Sequence, residues 1–304
     1  MILVFALQRA GRYLIFLLLI VFVFPVAPAH ATELVQGKRY TILLAGLDRD
    51  IASSNRDRRT DGHTDALVLL SSRLGSGVVD AIHIPRDTRV YLPQFGYTKI
   101  NGVYLLRDRV GLARVAGELT GLPVNDVLLM DFTQFRHALS LVPALHFQLD
   151  RPVMAPEGDV HLSAGTHILS PADALAVVRF RHEPLGDIGR VHRQERFIRG
   201  AVDLASKLPY ALFGHVLRQL DPQVNTSDIQ IAYALVHPVR EYHAHSVPGN
   251  FSIGPGVSYW LPDQRGMKII AALVLRKEPT VSAFNAWEND GGAHDVDDGK
   301  DRSR

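Results

Sequence analysis

Arginine is concentrated in one short stretch of this 304-residue chain, where several planar donors could converge on an anion. Residues 177–197, "VVRFRHEPLGDIGRVHRQERF", contain five arginines and only three acidic residues. The whole chain has 27 Arg and 6 Lys, and arginine is preferred where a fork of donors must hold phosphate or carboxylate through two hydrogen bonds. The stretch therefore predicts an anion site. A salt-bridged helix surface is the alternative.

Two local conformations would gather these arginines on one side. If "RFR" is extended, Arg179 and Arg181 point the same way, because side chains alternate along a strand. If "GRVHRQERF" is helical, Arg190, Arg193 and Gln194 share one face, because residues three and four apart are neighbours on a helix. Both conformations predict arginines converging near a helix N-terminus, which itself favours an anion.

Carboxylates form a second group upstream. Asp48 follows the apolar run "YTILLAG", and Asp65 begins the run "DALVLLS". Neighbouring strands would bring the two carboxylates together, and such oxygen ligands suit Mg²⁺. Arg86 and Asp87 directly follow a third run, "VVDAIHI", at the kind of strand end where α/β sheets bind ligands. Each aspartate alone could be a turn or cap residue, but their repeated position at strand ends favours a site.

Strands alternating with helical segments must position these residues. Apolar runs predict strands over 40–46, 65–71, 78–84, 127–130, 144–150 and 242–247. Helical spacing and caps predict helices that end at Gly121, follow Asp131, follow Ser170, begin near Gly189, and cover 209–219, 227–236 and 264–274. This order predicts an α/β fold, a single domain with a central mixed β-sheet flanked by helices.

The composition limits the classes of function. A hydrophobic content of 47% with 21% charged residues is typical of a folded domain with a sizeable core. A net charge of +2 gives no electrostatic argument for nucleic acid as a partner. The chain has no cysteine, which excludes disulfides, thiolate metal sites and a cysteine nucleophile.

The N-terminus predicts export. Arg9 and Arg12 precede an apolar run over 13–24, which is shorter than a comfortable bilayer span. The tripeptide Ala-His-Ala at 29–31 matches the pattern that signal peptidase cleaves. Residues 1–31 are therefore expected to be a signal peptide or a membrane anchor. Either one places the rest of the chain outside the cytoplasmic membrane.

Six blocks in order resemble the LytR-CpsA-Psr family: "ILLAGLDR", "TDALVLLS", "HIPRDTRVYLP", "KINGVY", "ALAVVRFRH" and "DIGRVHRQ". That family comprises extracytoplasmic enzymes that transfer glycopolymers from a polyprenyl diphosphate carrier to peptidoglycan. The resemblance covers about 40–275 and implies a catalytic domain over 32–278. The polar composition after Pro279 predicts a disordered tail over 279–304. It also implies a long apolar pocket for the polyprenyl chain, lined by "FRHALSLVPAL", "ALAVV" and "FIRGAVDLA".

The resemblance implies roles for the individual site residues. Asp48 and Asp65 would hold Mg²⁺ against the diphosphate. The clamp on the diphosphate oxygens would consist of Arg86, Arg179, Arg181, Arg190 and Arg193. Supporting positions would be Asp87, Lys99, Asn101 and Gln194. The residues taken as catalytic are Asp65, Arg86, Asp87, Arg179 and Arg181, with Asp65 or Asp87 as the acceptor of the proton.

This sequence departs from the family's usual pattern in two places. His63 stands two residues before Asp65, where members usually have arginine or a similar residue, so Asp61 is an alternative match. The family's small-residue run after "KIN" is replaced by "GVYLLRDRVG".

Three functions fit the sequence. The first is a Mg²⁺-dependent phosphotransferase that joins a polyprenyl-diphosphate-linked glycan to peptidoglycan at the outer face of the membrane. The second is a hydrolase of polyprenyl diphosphates. The third is a non-catalytic exported module that binds lipid diphosphates or anionic glycans. The paired aspartates favour an enzyme, because pure anion binding gains nothing from carboxylates beside phosphate unless a cation bridges them.

Overall fold

The structure is a computed structural model that describes residues 37–48, 62–155, 160–180, 186–252 and 256–276, with only the backbone described over 186–188. The expected signal peptide or anchor and the expected polar tail lie outside the described residues. Arg181 and Asp61 lie outside them as well. No helix in the described part of the chain is both long enough and apolar enough to cross a bilayer.

Strands and helices follow the predicted order. The strands are β1 (Arg39–Leu47), β2 (Thr64–Arg73), β3 (Val78–His83), β4 (Arg89–Leu92), β5 (Gly96–Lys99), β6 (Asp126–Met130), β7 (Leu145–Leu149), β8 (Val153–Ala155), β9 (Val160–Leu162), β10 (Gly165–Leu169), β11 (Glu241–Ser246), β12 (Gly249–Phe251) and β13 (Trp260–Pro262). The helices are α1 (Val103–Thr120), α2 (Phe132–Ser140), α3 (Pro171–Arg179), α4 (Gly186–Ala205), α5 (Tyr210–Leu220), α6 (Thr226–Val236) and α7 (Gln264–Leu275).

A five-stranded mixed sheet forms the centre of the domain, in the order β11-β3-β2-β1-β6. β1 pairs antiparallel with β2 and parallel with β6, and β3 pairs antiparallel with β2 and parallel with β11. The remaining strands form two-stranded ribbons, including the β4–β5 hairpin and the β12–β13 pair. The predicted α/β class and the mixed sheet are confirmed.

Both faces of the sheet are covered, which explains why β1 and β2 are apolar almost throughout. Leu43 and Leu47 belong to one core cluster, closed by α1, α7 and the β4–β5 hairpin. Ile42 belongs to a second cluster on the opposite face, formed with α4, α5 and α6. Because side chains alternate along β1, one strand contributes to both. We refer to these as the first face and the second face.

The predicted helix ends are mostly confirmed. Gly121 caps α1 in the left-handed conformation at φ 70°. Ser170 caps α3 through its side chain, with proline at the first helical position. α4 begins at Gly186, three residues before its predicted start. α1 is kinked at Asp108, whose φ is 66°, because its Oδ1 accepts the N–H of Gly111 at 3.0 Å and so caps the second segment of the helix.

Candidate active site

Asp65 lies at a β-bulge beside the end of β1. Leu47 is opposite Thr64, whereas Gly46 is opposite Ala66, so Asp65 is the extra residue on its strand. A bulge re-aims a side chain and is common next to active sites. Asp48 follows Leu47 at the same end of the sheet, and its N–H donates to the carbonyl of His63 at 3.0 Å. Asp48 and Asp65 both line one large cavity on the second face.

A network of alternating charge fixes the residues around Asp65. Arg86 Nη1 donates to Asp65 Oδ2 at 2.7 Å, and Asn101 Nδ2 donates to Asp65 Oδ1 at 3.3 Å. Arg86 Nε lies 3.6 Å from Asp87 Oδ2, and Lys99 Nζ lies 2.6 Å from Asp87 Oδ1. All these side chains are partly exposed. The structure therefore brings together five of the residues that the sequence nominated, near the start of β2 and the ends of β3 and β5.

Arg179 stands at the mouth of the cavity on the opposite wall. It is the last residue of α3, and Phe180 caps that helix, so the extended conformation considered for "RFR" is wrong at this position. Its guanidinium lies 4.4 Å from the ring centroid of Phe132, and Nη2 lies 3.8 Å from Asp48 Oδ1. Both members of this ion pair are about 40% exposed and add little to stability. Arg179 is therefore accessible to a ligand.

The helical face predicted for "GRVHRQERF" is present in α4. Arg190, Arg193 and Gln194 are 4%, 5% and 8% exposed, which is unusual burial for such polar side chains. Arg190 and Gln194 line the cavity. Phe197 lies one turn below and is buried as well. The salt-bridged helix surface is thus excluded for these three residues.

Arg193 holds the end of α3 in place. Its Nε donates to the carbonyl of Val177 at 3.1 Å, and its Nη2 donates to the carbonyl of Phe180. The neighbouring Gln194 Nε2 donates to the carbonyl of Val178 at 3.0 Å. These are the carbonyls that a helix end leaves without an internal partner. Arg193 thereby fixes the turn that carries Arg179, a positioning role in addition to the direct clamp that the family resemblance implies.

For the predicted transferase reaction, replacing Arg193 with lysine should lower kcat about tenfold with little change in KM for the donor, because one ammonium group cannot reproduce a fork that spans two carbonyls. Arg179 would then be held less firmly. The check is steady-state kinetics of Arg193→Lys beside Arg199→Lys, a control on an exposed position of the same helix. Equal losses in both variants, or a rise in KM alone, would contradict the positioning role.

His83 is a buried residue near the site that the motif search did not single out. It ends β3, is 4% exposed, and burial together with the positive charges of Arg190 and His192 lowers its pKa to about 4. The imidazole is therefore neutral at physiological pH. Strand alternation could have found it, because His83 follows Val79 and Ala81 on the side of the sheet that faces the second core.

The cavity extends from the charged end along the second face of the sheet and has a volume of about 330 Å³. Its floor contains every second residue from Ile42 in β1 to Asp48 just after it, a span of roughly 20 Å at ~3.3 Å per residue. The three segments predicted as lining contribute its roof: Phe135, Ala138, Leu139, Val142, Leu145, Leu175, Val178, Phe197, Ile198, Ala201, Val202, Leu204 and Ala205. The prediction of a long apolar pocket is confirmed.

The two ends of the cavity differ in charge. Arg179 and Arg190 lie at the end that holds Asp48 and Asp65. At the other end Asp126 begins β6, opposite Ile42 of β1. Burial raises the pKa of Asp126, and the nearby carboxylate of Asp228 raises it further. The arginine end therefore offers two cations to an anionic head group, whereas the far end offers it carboxyl groups, Asp126 and Asp228.

The carboxylates fit a Mg²⁺ site that a ligand completes. Mg²⁺ is usually bound by one or two carboxylates together with phosphate oxygens and water. Asp48 and Asp65 supply two such carboxylates beside the arginines. Among the described residues no three His, Asp or Glu side chains are grouped to hold a metal on their own. A cation here would therefore require oxygens from a bound phosphate.

Comparison with known proteins gives consistent matches. The LytR_cpsA_psr family model matches residues 26–272. The probable cell wall biosynthesis protein LcpB of Corynebacterium glutamicum is 27% identical over 222 residues, which are 73% of this chain and 48% of LcpB. The chain spans about half the length of the curated relatives that it matches.

Solved structures share the fold. TagV of B. subtilis superposes with a TM-score of 0.66 at 20% identity, covering 79% of this chain and 97% of TagV. The LytR-CPS2A-psr family protein YwtF (TagT) with bound octaprenyl pyrophosphate lipid superposes with a TM-score of 0.62 at 20% identity, covering 79% and 90% of the two chains. The order of motifs, the fold and the family match agree, and this chain belongs to the LytR-CpsA-Psr family.

Proposed function

We propose that this protein is a Mg²⁺-dependent phosphotransferase of the cell envelope. It would move a glycopolymer from a polyprenyl diphosphate carrier to a peptidoglycan hydroxyl outside the cytoplasmic membrane, with which it would associate. The observation that carries the proposal is an apolar cavity that ends at two carboxylates and two arginines. The cavity suits a long hydrocarbon tail, and its arginine end suits the diphosphate. The lipid in the TagT structure and the name of LcpB support this assignment.

Charge stabilisation is the main task in phosphoryl transfer. Mg²⁺ on Asp48 and Asp65 would withdraw charge from the diphosphate oxygens. Arg179 at the mouth and Arg190 in the wall face the position of a head group whose tail fills the cavity. Fixed cations in a partly buried site stabilise the charge that grows on the leaving polyprenyl phosphate. Arg86, which binds the carboxylate of Asp65, would add a further positive charge near the diphosphate.

The reaction has a simple balance. The acceptor hydroxyl oxygen forms a bond to the phosphorus that bears the glycan. The bond from that phosphorus to the bridging oxygen breaks, and polyprenyl phosphate leaves with this oxygen. The hydroxyl proton passes to a carboxylate, for which Asp65 and Asp87 are the two candidates. Both are held by cations in the network, Asp65 by Arg86 and Asp87 by Lys99.

The test follows polyprenyl phosphate release by the purified protein from a polyprenyl-diphosphate-linked oligosaccharide. Release is measured with and without Mg²⁺ and with and without soluble peptidoglycan fragments. Mg²⁺-dependent release that yields glycan joined to the fragment is the expected result. Release with water as the acceptor would instead support a hydrolase built from the same residues. Tight lipid binding with no turnover would support a binding module.

Replacing Asp65 with asparagine should lower turnover by about 10²-fold or more and weaken the response to Mg²⁺, because the amide keeps the shape but removes a charged metal ligand. The measurement is a Mg²⁺ titration of polyprenyl phosphate release. Asp203→Asn is a matched control, since this exposed carboxylate forms a local pair with Lys207 at 2.7 Å. An unchanged Mg²⁺ midpoint in Asp65→Asn would assign the metal to other ligands.

A further inference from the structure

The outer face of the β4–β5 hairpin carries aromatic rings and cations that the proposed chemistry leaves largely unused. Arg89 lies opposite Lys99, and Tyr91 lies opposite Tyr97. We call these four residues the hairpin strip. Val90, which lies between Arg89 and Tyr91 on β4, is buried in the first-face core. Tyr91 and Tyr97 are 58% and 63% exposed, so core packing does not explain them.

The strip has an ordered geometry. The rings of Tyr91 and Tyr97 meet edge to face with centroids 5.3 Å apart. The guanidinium of Arg89 lies over the Tyr97 ring, 4.7 Å from its centroid. Tyrosines of this kind present an apolar ring face beside a polar hydroxyl, which is why they are frequent at recognition surfaces. Cross-strand pairing alone stabilises a hairpin, but it does not require both rings to remain mostly exposed.

The strip leads directly into the candidate active site. Lys99, at one end of the strip, binds the carboxylate of Asp87 at 2.6 Å. The backbone on both sides of Asp87 is also fixed, since Asn101 N–H donates to the carbonyl of Arg86 at 3.2 Å and Trp260 N–H donates to that of Asp87 at 2.9 Å. Lys99 lies two residues from Tyr97 on β5, so the hairpin strip borders a candidate proton acceptor.

The strip and the lipid cavity approach the site from different sides of the sheet. The hairpin packs on the first face through Val90 and Leu92, whereas the cavity runs along the second face. In phosphoryl transfer the attacking and leaving oxygens lie roughly in line with the phosphorus between them. If the leaving polyprenyl phosphate lies on the cavity side, the attacking hydroxyl must come from the side of the hairpin.

We propose that the hairpin strip is a subsite for the sugar rings of the acceptor glycan strand, an inference that rests on the proposed transferase function. Sugar rings carry apolar C–H faces that stack on aromatic rings, and hydroxyls and stem-peptide carboxylates that bind Arg89 and Lys99. A lipid bilayer would fit the hairpin strip less well than a glycan strand. Phe95 is an exposed apolar side chain at the hairpin turn, but Arg107 lies over its ring, 5.4 Å from the centroid.

The test is the double variant Tyr91→Ala with Tyr97→Ala, assayed with soluble peptidoglycan fragments. Loss of the two rings should raise the KM for the fragment roughly tenfold, the size expected for lost aromatic contacts. Lipid binding and release of polyprenyl phosphate without acceptor should remain as in the parent protein. Ile168→Ala is the control, since Ile168 is 64% exposed on the distant β10. Tyr97→Phe, which keeps the ring, should retain most of the affinity.

Direct binding separates this inference from the transferase assignment. Fragment binding to the full chain is measured by titration calorimetry without donor. Binding that the double variant loses supports the strip even if no transfer is detected. Transfer with an unchanged fragment KM in the double variant overturns the strip but leaves the transferase intact. Loss of co-sedimentation with anionic lipid vesicles, at unchanged fragment affinity, also overturns it and assigns the strip to the membrane.

Discussion

Arg86→Ala should lower glycan transfer by about 10²- to 10³-fold, the loss typical for removing a fixed donor that stabilises transition-state charge. Arg86 contacts both carboxylates of the network, at 2.7 Å from Asp65 and 3.6 Å from Asp87. Its loss would remove one cation from the phosphate site and the 2.7 Å hydrogen bond to Asp65, while the bond from Asn101 to Asp65 would stay. Because the side chain is partly exposed, the folded state should survive.

The measurement is the rate of polyprenyl phosphate release together with the thermal unfolding midpoint. Arg114→Ala is the control, since Arg114 forms an exposed pair with Glu118 on α1 and should change neither quantity. Arg86→Lys should recover only part of the activity, because a single ammonium group cannot make two parallel bonds. Near-normal turnover in Arg86→Ala with an intact fold would remove this residue from the site.

Ala138→Phe should abolish binding of the long-chain donor and retain binding of a short-chain prenyl diphosphate. Ala138 is 3% exposed and lines the cavity from α2, so a larger side chain would occupy space that the tail needs. Excluding a tail segment that buries about 150 Å² of apolar surface removes roughly 3–4 kcal/mol, more than a hundredfold in affinity. The charged end stays unchanged, so a ligand confined to it should still bind.

The check compares octaprenyl diphosphate with geranyl diphosphate by titration calorimetry. Ala244→Phe is the matched control, an alanine of β11 that is exposed to solvent. Equal loss of both ligands would indicate a disturbed fold, which circular dichroism would reveal. Unchanged affinity for the long chain would mean that the tail binds elsewhere, and the cavity would lose its proposed role.

Periodicity predicted much of this architecture. The face of Arg190, Arg193 and Gln194 follows from the helical repeat, and the apolar strands follow from their composition and length. Asp48 and Asp65 could be placed together because the two strands that carry them are neighbours along the chain. These features depend on local sequence, which is why sequence alone was sufficient.

The remaining features depend on contacts between distant segments. α3 extends as far as Arg179 because the Phe180 N–H donates to the carbonyl of Ala176 at 2.9 Å and closes the last turn. The Phe180 ring also packs in a core cluster with Phe197. The sequence contains no helix-ending residue between Pro171 and Pro184. The local sequence was therefore compatible both with a helical Arg179 and with an extended segment. The bulge at Asp65 and the binding of helix-end carbonyls by Arg193 likewise arise only in the folded chain.

The alternating floor of the cavity has a consequence for turnover. A cavity wall that contacts only the hydrocarbon tail binds the tail equally well in the donor complex and in the transition state. Such a wall therefore does not lower the barrier of the chemical step. The same wall would retain the spent carrier, and departure of the product often limits enzyme rates. The speed of such an enzyme would then depend on how readily its surroundings extract a free polyprenyl phosphate. A bilayer or micelle in the assay would act as a sink that sets kcat.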